Sequence, residues 1–260
     1  MNHFTIKDIE NLTGIKSHTL RIWEQRYGIP LPKRTSTNIR YYDDDDLKML
    51  LNVSMLNRQG HSISHLTALS KEELEQLALV ATSDTGDTNI QLDAMLQAMF
   101  NLDEHAFDRI LSSHLMKFGM EKTMVELFFP FLKKIGVLWQ TGQVNPAFEH
   151  FMSNLIRQKM IVAIDAQASV KNANSKKFIL FLPESEIHEL GLLFANYVIR
   201  SRGHHTIYLG QNLPYTELDA IVTQFDCDYI LSVLTNIASK LTTQEFVNKL
   251  SSRFKDKKYY

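Results

Sequence analysis

The chain has 260 residues, a formal net charge of −1 and a single cysteine, Cys227. The length exceeds one typical domain and predicts two or three compact units, and one cysteine excludes an intrachain disulfide, so Cys227 is expected to pack as a small apolar residue in a reducing compartment. The N-terminal Met-Asn-His-Phe-Thr-Ile-Lys-Asp lacks an apolar signal-peptide core, and the most apolar stretch, 125–139, is broken by Lys133-Lys134, so a soluble cytoplasmic protein that crosses no membrane is expected.

Near-neutrality hides a basic end. Residues 1–42 carry Lys7, Lys16, Arg21, Arg26, Lys33, Arg34 and Arg40 against Asp8, Glu10 and Glu24, which points to a polyanion-binding head over 1–70. Thr5 followed by Asp8 predicts a helix start, Ile6, Ile9 and Leu12 share one face, and Gly14 stops the helix. A second helix is expected over 17–26, with Leu20 and Trp23 turned to the first and Lys16, His18, Thr19, Arg21 and Arg26 left outside. Two short helices joined by a Gly-containing turn make a helix-turn-helix, whose second helix enters the major groove. Tyr27-Gly-Ile-Pro-Leu-Pro ends that helix, and 33–42 alternates as a β-ribbon whose basic and aromatic residues suit phosphate contact. The acidic run Asp43 to Asp46 reads as the start of a further helix, with Leu47, Leu50, Leu51 and Val53 apolar, because carboxylates are favoured at a helix N-terminus and no calcium loop is present. His61 and His65 lie four apart without a carboxylate partner and are expected as surface histidines.

Helix is expected over 71–80, and 81–89 loses apolar periodicity and reads as a flexible linker, so 71–89 joins the head to a helical middle region. Four helical stretches make up that region, at about 90–100, 104–117, 122–140 and 146–170, the last with Asn145 as cap and Pro146 at its first position. Short connections make the segment 90–170 an antiparallel four-helix bundle. Trp139 ends one helix and Glu149-His150 open the next, so these side chains are either core and helix-start residues or convergent at one end of the bundle.

Over 175–260 short apolar runs at 178–182, 205–209 and 229–233 alternate with helical segments at 189–201, 215–225 and 243–254, which predicts a parallel sheet with right-handed crossovers. The whole is thus multidomain, mostly α with an α/β part. Between the first strand and its helix stands Glu184-Ser-Glu-Ile-His-Glu-Leu-Gly191. His188 lies where open α/β sheets bind ligands, and Glu186 can take one ring proton and leave the other nitrogen a better metal donor. Gly191 allows a flat ligand to approach the backbone. Leu192 stands where a zinc hydrolase would need its second histidine, which leaves a bare helix cap as the competing reading of His188. Ser232 ends the third strand at the same edge.

The order helix, Gly turn, Thr19-Leu-Arg-x-Trp-Glu-x-Arg-Tyr-Gly28, Arg34-x-x-x-Asn-x-Arg-Tyr-Tyr42 and Asp44-x-x-x-Leu resembles the winged helix-turn-helix head of MerR-type transcriptional regulators. The resemblance implies that residues from Lys16 to Arg26 read a double-stranded DNA operator and that Lys33, Arg34, Arg40 and Tyr41 grip phosphates, while Trp23 and Tyr42 serve the core. Glu186-x-His188-x-x-Gly191, Tyr208-Leu-Gly210, Ser232-x-Leu234 and Trp139-x9-Glu149-His150 resemble the helical cap and flavodoxin-like module of cobalamin-binding proteins.

Together the two resemble cobalamin-dependent, light-responsive repressors. That resemblance implies His188 as lower cobalt ligand, Glu186 as its partner, Ser232 on the nucleotide tail, and Trp139, Glu149 and His150 over the upper face of adenosylcobalamin. It also implies a homo-oligomer, dimer or tetramer, whose DNA affinity depends on ligand state. The chain departs from that pattern at Gln140, where the better-known photoreceptors carry histidine, and at its C-terminal end, where such domains continue through two more strands and a Gly-Gly loop; the α/β module is expected to be incomplete. Other functions built on the same parts are a cobalamin-dependent methyltransferase subunit, against which the DNA-binding head argues, and a regulator whose sensory region binds a protein partner in place of cobalamin.

Overall fold

The computed structural model describes residues 3–83, 88–140, 145–167, 174–235, 243–254 and 257–259, and it divides into two compact units, Met1–Leu155 and Ile156–Tyr260. Among the described residues no helix is long and apolar enough to cross a membrane.

The first unit opens with α1 (Ile6–Thr13) and α2 (Ser17–Tyr27). Thr5 and Asp8 form a reciprocal capping box at the start of α1, and Gly14, at φ 74, closes it in the left-handed conformation that a side chain disfavours. Leu20 and Trp23 are buried, and so are Ile9 and Leu12 of α1. The ribbon is shorter than its pattern suggested: β1 (Lys33–Arg34) pairs antiparallel with β2 (Arg40–Tyr41), and Tyr42 bridges back to Phe4. Asp43 and Asp46 form a second capping box that opens α3 (Asp44–Arg58), so the acidic run is a helix start. Leu47, Leu50, Leu51 and Val53 are wholly buried along α3. After α4 (Ile63–Leu66) comes α5 (Lys71–Ser83), then α6 (Thr88–Asn101).

Helix therefore occupies both ends of the segment expected as linker, and 84–87 lie outside the described residues. Helix α3 packs against both α5 and α6, so head and cap helices share one compact unit. The cause is apolar surface on the far side of the polar stretch, where Ile90, Met95, Leu96 and Met99 are buried. Helix α7 (Glu104–Thr123) breaks at Gly119, with φ 75 and ψ 171, and a π-helical turn over Met124–Phe128 leads into α8 (Phe129–Gln140). Asn145 caps α9 (Pro146–Asp165) through the amide of Ala147, 3.0 Å away.

The second unit is built on β3 (Lys177–Pro183), α10 (Leu190–Ser201), β4 (His205–Leu213), α11 (Tyr215–Gln224), β5 (Tyr229–Ser232), α12 (Thr243–Arg253) and β6 (Lys258–Tyr259). All strands are parallel, in the order β4-β3-β5-β6. Alternate residues of β3 serve opposite faces: Ile179 and Phe181 pack with Leu218, Val222 and Leu250 of α11 and α12, while Leu180 and Leu182 pack with Leu192 and Ile199 of α10. Strand β4 runs four residues past its expected end, with a register irregularity opposite Phe181 and Gly210 at φ 79. The apolar runs indicate three strands; the fourth, β6, is a two-residue edge pairing with Tyr229 and Ile230, too short to carry a pattern of its own. Cys227 is buried in the core, as expected of a small apolar residue.

Candidate functional site

Two surfaces collect most of the residues singled out from the sequence. On the head, the N-terminal turn of α2 has no side-chain cap of its own, and Glu10 of α1 supplies one from across the turn. Its carboxylate accepts from the Ser17 hydroxyl at 2.6 Å, the Ser17 amide at 3.1 Å and the Lys16 ammonium at 3.0 Å. These contacts hold its pKa down to about 2, the Ser17 hydroxyl contributing most. Beyond this cap, His18, Arg21, Gln25 and Arg26 are exposed and Thr19 half-buried along α2, while Trp23 and Tyr42 are core.

Between α2 and the ribbon lies an open concavity of about 610 Å³, lined in part by Arg21, Gln25, Arg34, Asn38 and Arg40. Not all its cations are equally available. Arg40 pairs with Glu24 at 3.0 Å, and the same Glu24 accepts the buried Tyr42 hydroxyl, whose pKa is driven up by burial and by that carboxylate. Lys33 bonds Asp43, and Asp46 at 3.1 Å, which raises its pKa. Arg34 donates to the backbone carbonyl and side chain of Asn38, both at 3.1 Å. Arg21, Arg26 and Arg34 have no carboxylate partner among the described residues, so they carry the least compensated positive charge of the surface. Tyr41 is half-buried, its ring centroid 4.0 Å from that of His3 and tilted by 32° to it. His61 and His65 face each other at 6.0 Å, and no cluster of three or more metal-ligating side chains occurs among the described residues.

In the second unit, the chain passes from β3 to β4 on one side and then from β4 across to β5 on the other, and the carboxyl edge between β3 and β5 is the crevice where such sheets take ligands. Glu186 sits there, 2% exposed. One of its oxygens accepts the His188 amide at 2.9 Å and the imidazole Nδ1 at 2.6 Å; the other accepts the amide and hydroxyl of Thr235 at 2.9 and 3.1 Å. Because a carboxylate only accepts, Nδ1 is the donor here, which in the neutral ring leaves the lone pair on Nε2, and the side chain is 58% exposed. The loop is braced from β4 as well, where the Ser185 amide donates to the Asn212 side chain at 2.9 Å. Ser232 ends β5 with its hydroxyl oxygen buried and without a hydrogen-bond partner among the described residues. At Gly191 the space of a missing Cβ is taken by Val233, whose Cγ1 would lie 3.0 Å away, so this glycine serves the closeness of α10 to the end of β5.

Sequence reasoning missed three participants. Thr235, three residues past the last assigned strand residue, orients Glu186. Glu189, next to His188, accepts Arg157 at 2.7 Å and the Tyr208 hydroxyl at 2.8 Å, anchoring the start of α10. Glu10 caps α2 from another helix. In none of these was a local motif available to find them. In the first unit, Glu149 and His150 lie 3.4 Å apart on the first turn of α9, with side chains 36% and 71% exposed. Trp139 and Gln140 end α8 in the backbone, and their side chains lie outside the described residues.

Residues 4–73 match the sequence model of the MerR HTH family regulatory protein, and residues 91–163 that of the B12 binding domain. The HTH-type transcriptional repressor CarH of Myxococcus xanthus is 26% identical over 254 residues, 95% of this chain and 83% of that protein. The HTH-type transcriptional repressor CarA of the same organism is 26% identical over 227 residues, 86% of this chain and 74% of that one. Among solved structures, a cobalamin-binding protein from Desulfitobacterium hafniense DCB-2 superposes with a TM-score of 0.34 at 18% identity, covering 67% of this chain and 82% of the other.

Proposed function

We propose that this chain, a MerR HTH domain joined to a B12-binding domain, is a sequence-specific DNA-binding transcriptional repressor whose oligomeric state and operator affinity are set by cobalamin, in its adenosyl form, and through it by light. The reading rests above all on one observation: Glu186 accepts from Nδ1 of His188 at the carboxyl edge of the sheet, which in the neutral ring leaves the lone pair on Nε2 of an exposed imidazole. An imidazole in this state is a ready nitrogen donor to a transition-metal centre, and a carboxylate on its other nitrogen raises its basicity.

The residues at the edge fit such a group. The hydroxyl of Ser232, without a partner among the described residues, is a buried polar atom in want of a ligand contact, and the exposed Ile187 beside His188 offers apolar surface to a large flat ring. When bound, cobalamin would supply a cobalt centre able to take an imidazole ligand and, in the adenosyl form, a light-labile cobalt–carbon bond. For its part the chain orients His188 through Glu186 and Thr235, and we assign Ser232 to the nucleotide tail and Trp139, Glu149 and His150 to the upper face. Gln140 brings no imidazole there. The head reads a duplex through α2, with Arg21, Arg26 and Arg34 on phosphates and base edges. Two or four heads joined by their sensory parts engage matching half-sites together, and ligand state becomes DNA affinity through that avidity.

The test is an absorption spectrum of the full chain after incubation with adenosylcobalamin and gel filtration, in darkness and after illumination, beside a duplex-binding assay on the same samples. Retained cofactor with an imidazole-ligated spectrum, lost in His188→Ala, and light-dependent DNA affinity are expected. Wild-type protein that emerges free of cobalamin and binds duplex equally in light and dark would overturn the reading.

A further inference from the structure

One buried carboxylate holds the DNA-reading head against the cap helices. Asp93 on α6 is 1% exposed. It takes Arg58, from the end of α3, at 2.8 Å on one oxygen and Lys134, from α8, at 3.1 Å on the other. The second terminal nitrogen of Arg58 turns the other way, donating to the Thr13 carbonyl at 2.6 Å and the Ser54 hydroxyl at 2.9 Å, while Ser54 donates to that same carbonyl at 2.7 Å. Thr13 is the last residue of α1, and Gly14 after it turns the chain toward α2; a Cβ on Gly14 would meet this guanidinium nitrogen at 3.3 Å. One planar cation thus ties the turn that aims the reading helix to a carboxylate of the cap. Gln97 of α6 adds a second tie, donating to the Lys48 carbonyl at 3.0 Å and to Asn52 at 2.5 Å.

We propose that Arg58 is a positioning residue for DNA reading, clamping the helix-turn-helix turn to the cap through Asp93 and Lys134, so that movement of the cap helices is felt at α2 directly. The proposal rests on the head's reading of duplex DNA and not on the identity of the sensory ligand. Its physical basis is that a carboxylate buried this deeply is stabilised as an anion only beside its cations, so moving α6 away from Arg58 strands a charge or drives the carboxyl to take up a proton, and either cost favours the docked arrangement. The guanidinium fork presents one terminal nitrogen to Asp93 and the other to Thr13, whereas an ammonium would have to reach both from a single nitrogen. Lys134 lies on α8, the helix that ends at Trp139 and Gln140, so the route from the cap to the reading turn passes through packed, charged contacts.

The full chain is tested as wild type, Arg58→Lys and Asp93→Asn. Each is assayed for thermal unfolding, for affinity and its salt dependence on a duplex selected from a random library by the wild-type chain, and for the spin-label distance between Lys7→Cys and Met116→Cys in a Cys227→Ser background. At temperatures where all are folded, both variants are expected to lose at least about tenfold in affinity, within the usual range of coupling between sites, with the salt slope unchanged because no phosphate contact is removed. The wild-type distance distribution is expected to be narrow and that of both variants broad. Affinities within about twofold of wild type, less than typical coupling, or distance distributions unchanged in the variants, would overturn the clamp. Should the wild-type chain select no duplex, the DNA reading of the head falls with it, and the distance distributions alone then decide whether Arg58 clamps head to cap.

Discussion

Exchanging Glu186 for glutamine keeps the shape of the side chain and removes its charge, and the surrounding donors determine the cost. The carboxylate faces two N–H groups of His188 on one oxygen and the N–H and O–H of Thr235 on the other. An amide has one acceptor oxygen and one NH2. Turned with NH2 to Thr235, it confronts the Thr235 amide, and only the hydroxyl can rotate to accept. Turned the other way, it confronts the His188 amide and drives the imidazole proton from Nδ1 to Nε2. Either way one backbone N–H loses its acceptor, which costs about 1–3 kcal/mol when buried, and the surviving bonds drop from charge-assisted to neutral strength. Glu186 is 2% exposed but the His188 side chain is 58% exposed, so the second contribution is partly screened and about 2–3 kcal/mol in total is expected. For a unit of this size that is a fall of roughly 10 °C or more in melting temperature. The two tryptophans lie in the first unit, so unfolding of the second is monitored by amide hydrogen exchange of β3 and β5, and the imidazole tautomer by nitrogen-15 NMR. A glutamine variant whose exchange protection stays within about 0.5 kcal/mol of wild type, the usual scatter of a surface substitution, would refute the reasoning, because no orientation of the amide satisfies all four donors.

Three other outcomes are expected. Gly191→Ala gains helix propensity yet drives a methyl to 3.0 Å from Val233, so a net loss of about 1 kcal/mol is expected, relieved by adding Val233→Ala; a raised melting temperature in the single variant would contradict this. Glu10 has a depressed carboxyl pKa, so its contribution to the head is complete above its ordinary value of 4.5 and fades as pH falls toward about 2; fluorescence of the buried Trp23 should show a steeper acid transition in wild type than in Glu10→Gln, and equal slopes would remove Glu10 as the α2 cap. Arg21→Ala should weaken duplex binding and lower the slope of log affinity against log salt by about 1, whereas Arg40→Ala, whose cation is already held by Glu24, should lower it less; the reverse order would place the phosphate contact on the ribbon.

Much of the head was legible in the sequence, because its signals are short-range. The Thr5–Asp8 and Asp43–Asp46 capping boxes each span three residues, Gly14 supplies a conformation other residues resist, and Leu20 with Trp23 repeats at helical spacing. The pairing of Glu186 with His188 is of the same kind, since a two-residue separation within a loop lets side chain and ring meet whatever the rest of the chain does. Apolar runs alternating with helical segments likewise implied a parallel sheet. What the tertiary structure alone decided lies at long separations, where chain crossings choose the neighbours and local propensity has no say. Packing sets Glu24 against Arg40, and Asp43 and Asp46 against Lys33, which removes part of the positive charge that a count of residues assigns to the ribbon. It brings Thr235 to Glu186 and Val233 to Gly191, two contacts across a strand edge that no motif announces. It also turned both ends of an expected linker into helix, in two elements that pack on α3, because the polar stretch is flanked by Leu74, Ala78 and Ile90, which bury their apolar side chains wherever a partner surface is in reach, and only the folded chain specifies that surface.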